Sequence, residues 1–191
     1  MKWGDMTFPT RHAMAAIGVL LALGACTTTP DLKTTEQFDI SGSWTLVRPL
    51  SDEPPNPRNM MNRADRKASE RSQPRSASRV RIQGALFAFI TQDFPVLAAD
   101  EMIIEQQPDS MGVNYRPGPY RDVSWGERER GLWRVFAGWN EEGQLVIESR
   151  GNDIRTTERH FFREDGLLQV DILVRADNQN LERTRVFRRS R

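Results

Sequence analysis

Short segments in which apolar and polar residues alternate fill the chain from residue 101 onward. Met102–Gln107 and Met111–Tyr115 alternate with the period of two that is typical of half-buried strands, and Pro108-Asp109 separates them. A further strand is predicted around Trp44. The remaining segments of this kind are Tyr120–Trp125, Leu132–Trp139, Gln144–Ser149, Ile154–Arg163, Leu167–Arg175 and Leu181–Arg189.

Turn-forming residues separate these segments, as in Asn140-Glu141-Glu142-Gly143 and Glu164-Asp165-Gly166. Links this short join only antiparallel neighbours. A twisted open sheet of about eight or nine strands is unfavourable, and closure removes its edges. The pattern therefore predicts a mainly β fold, an antiparallel meander that forms a barrel or a strongly curved half-barrel.

One helix is predicted before the second strand of the sheet. Apolar residues between Val80 and Ile90 recur at helical spacing, Ser78 is a plausible N-cap, and Pro95 should end the helix.

The segment 51–77 differs in composition from the rest of the chain. It is rich in proline, serine and arginine and poor in aliphatic residues, so it cannot bury enough surface to offset its ordering entropy. Residues 48–81 include nine basic and four acidic residues. We predict a flexible basic insertion, which is either a solvated loop or a contact for anionic lipid headgroups or an acidic partner.

The N-terminal region carries an apolar run that ends at the only cysteine. The uncharged stretch 13–25 is too short to span a bilayer but suits an export signal. Leu23-Gly24-Ala25-Cys26 resembles the lipobox of bacterial lipoproteins, in which the cysteine thiol receives a diacylglyceryl group and the signal peptide is removed. Without such processing, Cys26 would be a small buried hydrophobe or a reactive thiol.

This resemblance implies a signal peptide at 1–25, a lipidated Cys26 with a tether over 26–38, and one folded domain at 39–191. Thr27 is not the aspartate associated with inner-membrane retention, so the expected location is the periplasmic face of the outer membrane. Removal of residues 1–25 from the 191-residue chain would leave 166 residues with 25 basic and 25 acidic side chains. That balance and the export signal predict the membrane, and not nucleic acid, as a partner.

Gly42-Ser43-Trp44 opens the first predicted strand. It resembles the Gly-x-Trp motif of lipocalin-like, or calycin, proteins, where an arginine from the last strand often packs across the tryptophan ring. The resemblance spans roughly residues 40–190 and implies that Arg185 or Arg188 fills this role.

Few residues suit catalysis or metal binding. His160 is the only histidine after the signal segment, and no thiol remains besides Cys26, which excludes most zinc ligand sets. No nucleophile elbow or phosphate-binding glycine loop is present, so His160 is expected to line the barrel or the surface rather than join a catalytic triad. We expect no metal, no cofactor and no enzymatic activity.

Aromatic residues on predicted strands supply the candidate ligand site. Trp133 and Trp139 share one face of their strand and Phe136 lies on the other, while His160 and Phe162 share a face of a later strand. These side chains either fill the core or line an apolar pocket, because barrels of about eight strands can hold one small ligand.

Two functions follow from these features. The first is a non-catalytic envelope lipoprotein that binds an apolar ligand, such as a fatty acid or lipid, in its barrel. The alternative is a structural or interaction lipoprotein that engages an envelope protein through its loops or an exposed aromatic face.

Overall fold

Ten antiparallel strands form a single sheet in the computed structural model. The structure describes residues 31–34, 38–71, 73–176 and 179–190; within residues 74–93 it describes only the side chains of 74–78, 87 and 90–93. The mainly β prediction is confirmed. The strands are β1 (Gly42–Leu46), β2 (Glu101–Gln107), β3 (Ser110–Arg116), β4 (Tyr120–Ser124), β5 (Gly126–Arg130), β6 (Trp133–Trp139), β7 (Leu145–Arg150), β8 (Arg155–Phe162), β9 (Leu168–Ala176) and β10 (Gln179–Arg189).

The sheet curls into a nearly closed barrel. Its strand order is β4-β3-β2-β1-β10-β9-β8-β7-β6-β5, so the two edge strands follow one another in the chain. We call the gap between β4 and β5 the seam. The lower end of the barrel carries Trp44 and Trp139, and the upper end carries the β5–β6 hairpin tip, Gly131-Leu132.

Strand β5 does not appear in the predicted pattern. Its residues Glu127, Arg128 and Glu129 are exposed, and its two ends, Gly126 and Arg130, are half-buried. An edge strand that buries almost nothing has no apolar alternation to detect. Its charges also discourage pairing with another chain.

Two helices precede β2, namely α1 (Pro57–Ser69) and α2 (Pro74–Asp93). Helix α1 lies inside the segment 51–77, for which composition predicted a loop. The side chain of Asn56 caps it by accepting a hydrogen bond from the backbone N–H of Asn59 at 3.1 Å. The flexibility of the segment 51–77 stays a prediction.

The start of α2 also differs from the prediction. Pro74 occupies the first turn, and the hydroxyl of Ser78, the predicted cap, instead donates to the Pro74 carbonyl at 3.0 Å. The helix ends at Asp93, before Pro95 as predicted. Beyond it, Phe94 and a short 3-10 turn over Pro95–Leu97 are buried in the core of the barrel.

Part of the predicted tether packs on the barrel. The backbone of Lys33 exchanges two hydrogen bonds of 2.8 Å with Trp139, antiparallel to β6. A Cβ on Gly138 would lie 2.6 Å from the Lys33 carbonyl oxygen, so glycine is needed for this approach. The signal segment and Cys26 lie outside the described residues. Among the helices that the structure describes, none has the length and apolarity required to cross a bilayer.

The arginine that lies across Trp44 is Arg189, and neither Arg185 nor Arg188. Arg189 is the direct cross-strand partner of Trp44, and its Cζ atom is 4.7 Å from the indole centroid. A Cβ on Gly42 would lie 2.9 Å from Arg189 Nη1, so the absence of a side chain there makes room for the guanidinium.

The two arginines named in the prediction have other environments. Arg185 is buried and donates hydrogen bonds to the carbonyls of Ala99 and Asp52, at 2.8 and 2.7 Å. It therefore joins β10 to the two segments that enter and leave the helices. Arg188 is exposed and lies on the opposite face of β10 from Arg189.

Candidate functional site

A polar cluster lies inside the barrel, where an apolar core is expected. Arg121 on β4 donates a hydrogen bond from Nη1 to Oε1 of Glu158 on β8. His160, two residues further along β8, places Nε2 3.7 Å from the other carboxylate oxygen of Glu158. All three side chains are almost fully buried, as is Tyr115 on β3.

Strand alternation explains why these side chains meet. On β8, Thr156, Glu158 and His160 all point inward, and on β4 the inward positions are Arg121 and Val123. Arg121 lies on the edge strand next to the seam. Because its side chain points inward, it reaches across the barrel to β8. The result is a buried ion pair that joins two strands which are not neighbours in the sheet.

The ion pair fixes the protonation of its members. Burial opposes the ionised form of Glu158, but Arg121 and, to a smaller extent, His160 outweigh it and lower the pKa of Glu158 to about 2. Burial likewise opposes the charge of Arg121, yet Glu158 and Tyr115 raise the pKa of Arg121 above its ordinary value. Burial, and then the charge of Glu158, raise the pKa of Tyr115.

These shifts limit the chemistry of the cluster. A carboxyl group with a pKa near 2 stays ionised at neutral pH, and a phenol with a raised pKa stays protonated. Neither group is poised to exchange a proton near neutral pH, as a general acid or base must be. The arrangement is suited to holding charge and orienting groups.

Several buried polar atoms around the cluster have no hydrogen-bond partner in the described part of the chain. The Nε and Nη2 atoms of Arg121 are two of them, and its Cζ lies 5.4 Å from the ring centroid of Phe94. The others in the barrel are Glu158 Oε2, His160 Nδ1 and Nε2, Ser149 Oγ, Thr156 Oγ1, Trp125 Nε1, Trp139 Nε1 and Arg185 Nε.

A groove of about 480 Å³, which we call the rim groove, lies at the upper end of the barrel. Ile90, Trp133 and Ile154 form its apolar surfaces, and Leu132, at 91% exposure, stands at its edge. Its other lining residues are Asp93, Arg130, Gly131, Gly151, Asn152 and Asp153.

Local packing holds Trp133 in the rim groove. Its ring meets the ring of Phe94 edge-on, with centroids 5.0 Å apart. A Cβ on Gly151 would lie 3.2 Å from the Trp133 ring, which is closer than ordinary van der Waals contact. Gly151 thus leaves room for the indole close to the backbone between β7 and β8.

A second groove, of about 470 Å³, follows the seam, and we call it the seam groove. Arg121, Val123 and Val135 lie at its base, since all three are buried. Arg130 lines both this groove and the rim groove. The remaining lining residues are Tyr120, Asp122, Ser124, Arg128 and Glu129.

The structure separates the aromatic residues that the sequence grouped as a ligand site. Trp133 lines the rim groove, whereas Trp139 is buried near the lower end against Trp125, with centroids 4.8 Å apart. Phe162 is also at the lower end, 5.4 Å from Phe38.

The last two members of the predicted set lie elsewhere. Phe136 points to the outer face of the sheet, where the guanidinium of Arg150 covers it at 4.8 Å. His160 lines the barrel interior beside Glu158.

Arg121, Arg130 and Glu158 were not among the predicted site residues. Alternation already placed Glu158 on the face of His160, which was a usable signal. Arginine on a strand usually indicates a solvated face, so nothing in the sequence distinguished Arg121 from exposed neighbours. Within the described residues, no group of three His, Cys, Asp or Glu side chains is placed to hold a metal ion.

Comparison with solved structures shows a likeness in fold. The chain is similar to the crystal structure of a luciferase domain from the dinoflagellate Lingulodinium polyedrum, with a TM-score of 0.49 and 11% sequence identity. The match covers 84% of this chain and 45% of the luciferase chain, so this chain spans about half the length of the chain that it matches. No protein-family model matches the sequence, and a search of curated proteins gave no match. The function is therefore inferred from this chain's own residues.

Proposed function

We propose that the protein is a non-catalytic, lipid-anchored envelope protein that binds a small apolar ligand, such as a fatty acid or another lipid. The observation that supports the proposal best is the rim groove, where Trp133 and Leu132 expose apolar surface at the upper end of the barrel. Its volume lies within the range of about 300 to 1,000 Å³ that is usual for small-molecule sites.

The surroundings of Trp133 favour binding over simple core filling. An indole that serves only the core is normally buried on both faces, as Trp44 and Trp139 are in this barrel. Trp133 is only half-buried, and part of its side chain lines the rim groove. A neighbouring leucine with almost full exposure has no packing role of its own, but it would gain one if a ligand covered it.

The proposed absence of catalysis rests on the polar cluster. Glu158 remains ionised and Tyr115 remains protonated at neutral pH, so each of these two groups inside the barrel is held in one state. Such a cluster is better suited to fixing the shape of the barrel at the seam than to acid–base chemistry.

The proposed anchor and the rim groove would lie at opposite ends of the barrel. Lys33 pairs with Trp139 near the lower end, and the segment 31–34 runs antiparallel to β6, so Asp31 faces away from the upper end. If Cys26 carries the lipid, the lower end would face the membrane. The rim groove would then open away from it, toward the periplasm.

Native mass spectrometry of the protein purified from its own host tests the binding function. A small molecule bound in a one-to-one ratio supports the proposal, and the bound fraction should fall in Leu132→Ser but stay the same in Leu50→Ser. Leu50 is a matched control, since it is an exposed leucine that lines neither groove. A co-purified protein without a small molecule would favour the interaction lipoprotein instead.

Fractionation of cells that express Cys26→Ala tests the location. The variant should leave the membrane fraction and keep its signal segment, because only the cysteine thiol can accept the lipid. Unchanged membrane attachment and unchanged mass would contradict the anchor.

A further inference from the structure

The two grooves meet at one residue, Arg130. Its half-buried side chain, at the upper end of β5, lines both the apolar rim groove and the polar seam groove. Trp133, its cross-strand partner on β6, belongs to the rim groove. A ligand whose apolar body lies against Trp133 would therefore place one end beside Arg130.

The guanidinium of Arg130 is partly buried and is repelled by a second positive charge, that of Arg121. Burial and then the positive charge of Arg121 lower the pKa of Arg130, and the opposing effects of Asp93 and Glu158 do not cancel them. Glu158 is already committed to its ion pair with Arg121. The other charged groups of the seam groove are exposed: Asp122, Arg128 and Glu129.

We propose that the ligand is a carboxylate, with its head group bound at Arg130 on the Arg121 side and its apolar body in the rim groove. This assignment rests on the proposed function, because it names the chemical class of the same ligand. A guanidinium presents two parallel N–H donors that match the two oxygens of a carboxylate. One negative charge also offsets the repulsion between the two arginines.

Three probes with the same alkyl chain separate the contribution of the head group from that of the body. We suggest decanoic acid, decanol and decyl phosphate, each measured by displacement of the neutral fluorescent probe N-phenylnaphthylamine. The protein should bind decanoic acid about tenfold more tightly than decanol, because charge-assisted hydrogen bonds add to the same apolar contact. Decanoic acid should also bind more tightly than decyl phosphate, whose additional charge lies close to Asp93.

Variants of Arg130 test the position of the head group. Arg130→Gln should bring the ratio of acid to alcohol affinity close to unity. Arg130→Lys should keep part of the preference for the acid, since it retains the positive charge but loses the two parallel N–H donors of the guanidinium. Arg134→Gln is the matched control. Arg134 is exposed, lies 3.4 Å from Glu127 and lines neither groove, so its loss should leave the ratio unchanged.

Each outcome decides the assignment. Equal affinities of the unmodified protein for acid and alcohol would overturn the carboxylate and leave the proposed function standing. Tighter binding of decyl phosphate would also overturn it, in favour of a phosphate head group. If the protein binds none of the three probes, both the carboxylate assignment and the proposed function are overturned. If Arg130→Gln does not fold, Arg130→Lys and the three probes on the unmodified protein still decide.

Discussion

Arg121 and Glu158 form an ion pair through the inside of the barrel, between the edge strand β4 and strand β8. Both side chains are almost fully buried. The pair therefore connects the edge strand β4 to β8 on the opposite side of the barrel. No backbone hydrogen bonds join these two strands, because they are not neighbours in the sheet.

Arg121→Met should destabilise the protein by about 3 to 5 kcal/mol, because it leaves the carboxylate of Glu158 buried without its partner. The double variant Arg121→Met/Glu158→Leu should recover most of this loss, since apolar residues of similar volume can replace a buried pair. Urea unfolding of both variants measures the two changes in the free energy of unfolding. A double variant that is no more stable than the single one would contradict the account.

The same pair predicts how stability depends on pH. The pKa of Glu158 is about 2 in the folded protein, below its ordinary value of 4.5. A lowered pKa means that the ionised carboxylate stabilises the fold, so its contribution is complete above about pH 4.5 and disappears as the pH falls toward 2. The difference between the two pKa values corresponds to about 3 kcal/mol in the free energy of unfolding.

Urea unfolding between about pH 5 and pH 2 measures this contribution. The unmodified protein should lose more stability across that range than Arg121→Met/Glu158→Leu, which lacks the titrating group. Parallel curves for the two proteins would show that Glu158 does not have a lowered pKa.

A double-mutant cycle between Trp44 and Arg189 tests the packing at the lower end. Trp44→Ala should cost about 3 to 5 kcal/mol as a large-to-small change in the core. The coupling energy with Arg189→Ala should be about 0.5 to 1 kcal/mol, the usual value for an exposed cation–π contact. Arg188→Ala, one residue away on the opposite face, is the control, and its coupling with Trp44 should be close to zero.

Most of the barrel could be predicted from the alternation of apolar and polar residues, because inward positions on the strands are buried. Strand β5 could not, since an edge strand of charged residues buries too little to leave a pattern. Helix α1 was also missed. Its fully buried surface consists of Ala64 and Ala68, which pack against Ala77 of α2, and two small residues among many charged ones do not reveal an apolar face.

The candidate site was only partly accessible from sequence. Alternation placed Trp133 on the same face of its strand as Trp139, and the structure adds that Trp133 lines a groove. Arg130 and Arg121 gave no such signal, because an arginine inside a barrel and one in solvent look alike in the chain. The closing of the sheet, which brings β4 beside β5, is what places both arginines along one groove.

The contact between Gly151 and Trp133 offers a direct way to alter the rim groove. In Gly151→Ala the new Cβ would lie 3.2 Å from the indole ring, so the ring would have to shift by a few tenths of an ångström. The φ angle of Gly151 is one that alanine tolerates, so the backbone should not be strained. Thermal unfolding of the variant would confirm that it folds before its binding is measured.

The most direct test of the central claim is a titration of N-phenylnaphthylamine into the unmodified protein, Gly151→Ala, Leu132→Ser and Leu50→Ser. We predict saturable binding at one site. The affinity should be about three- to tenfold lower in Gly151→Ala, because the indole is displaced, and in Leu132→Ser, because apolar contact is lost. Leu50→Ser should bind like the unmodified protein. No saturable binding, or the same affinity in all four proteins, would contradict a ligand site in the rim groove.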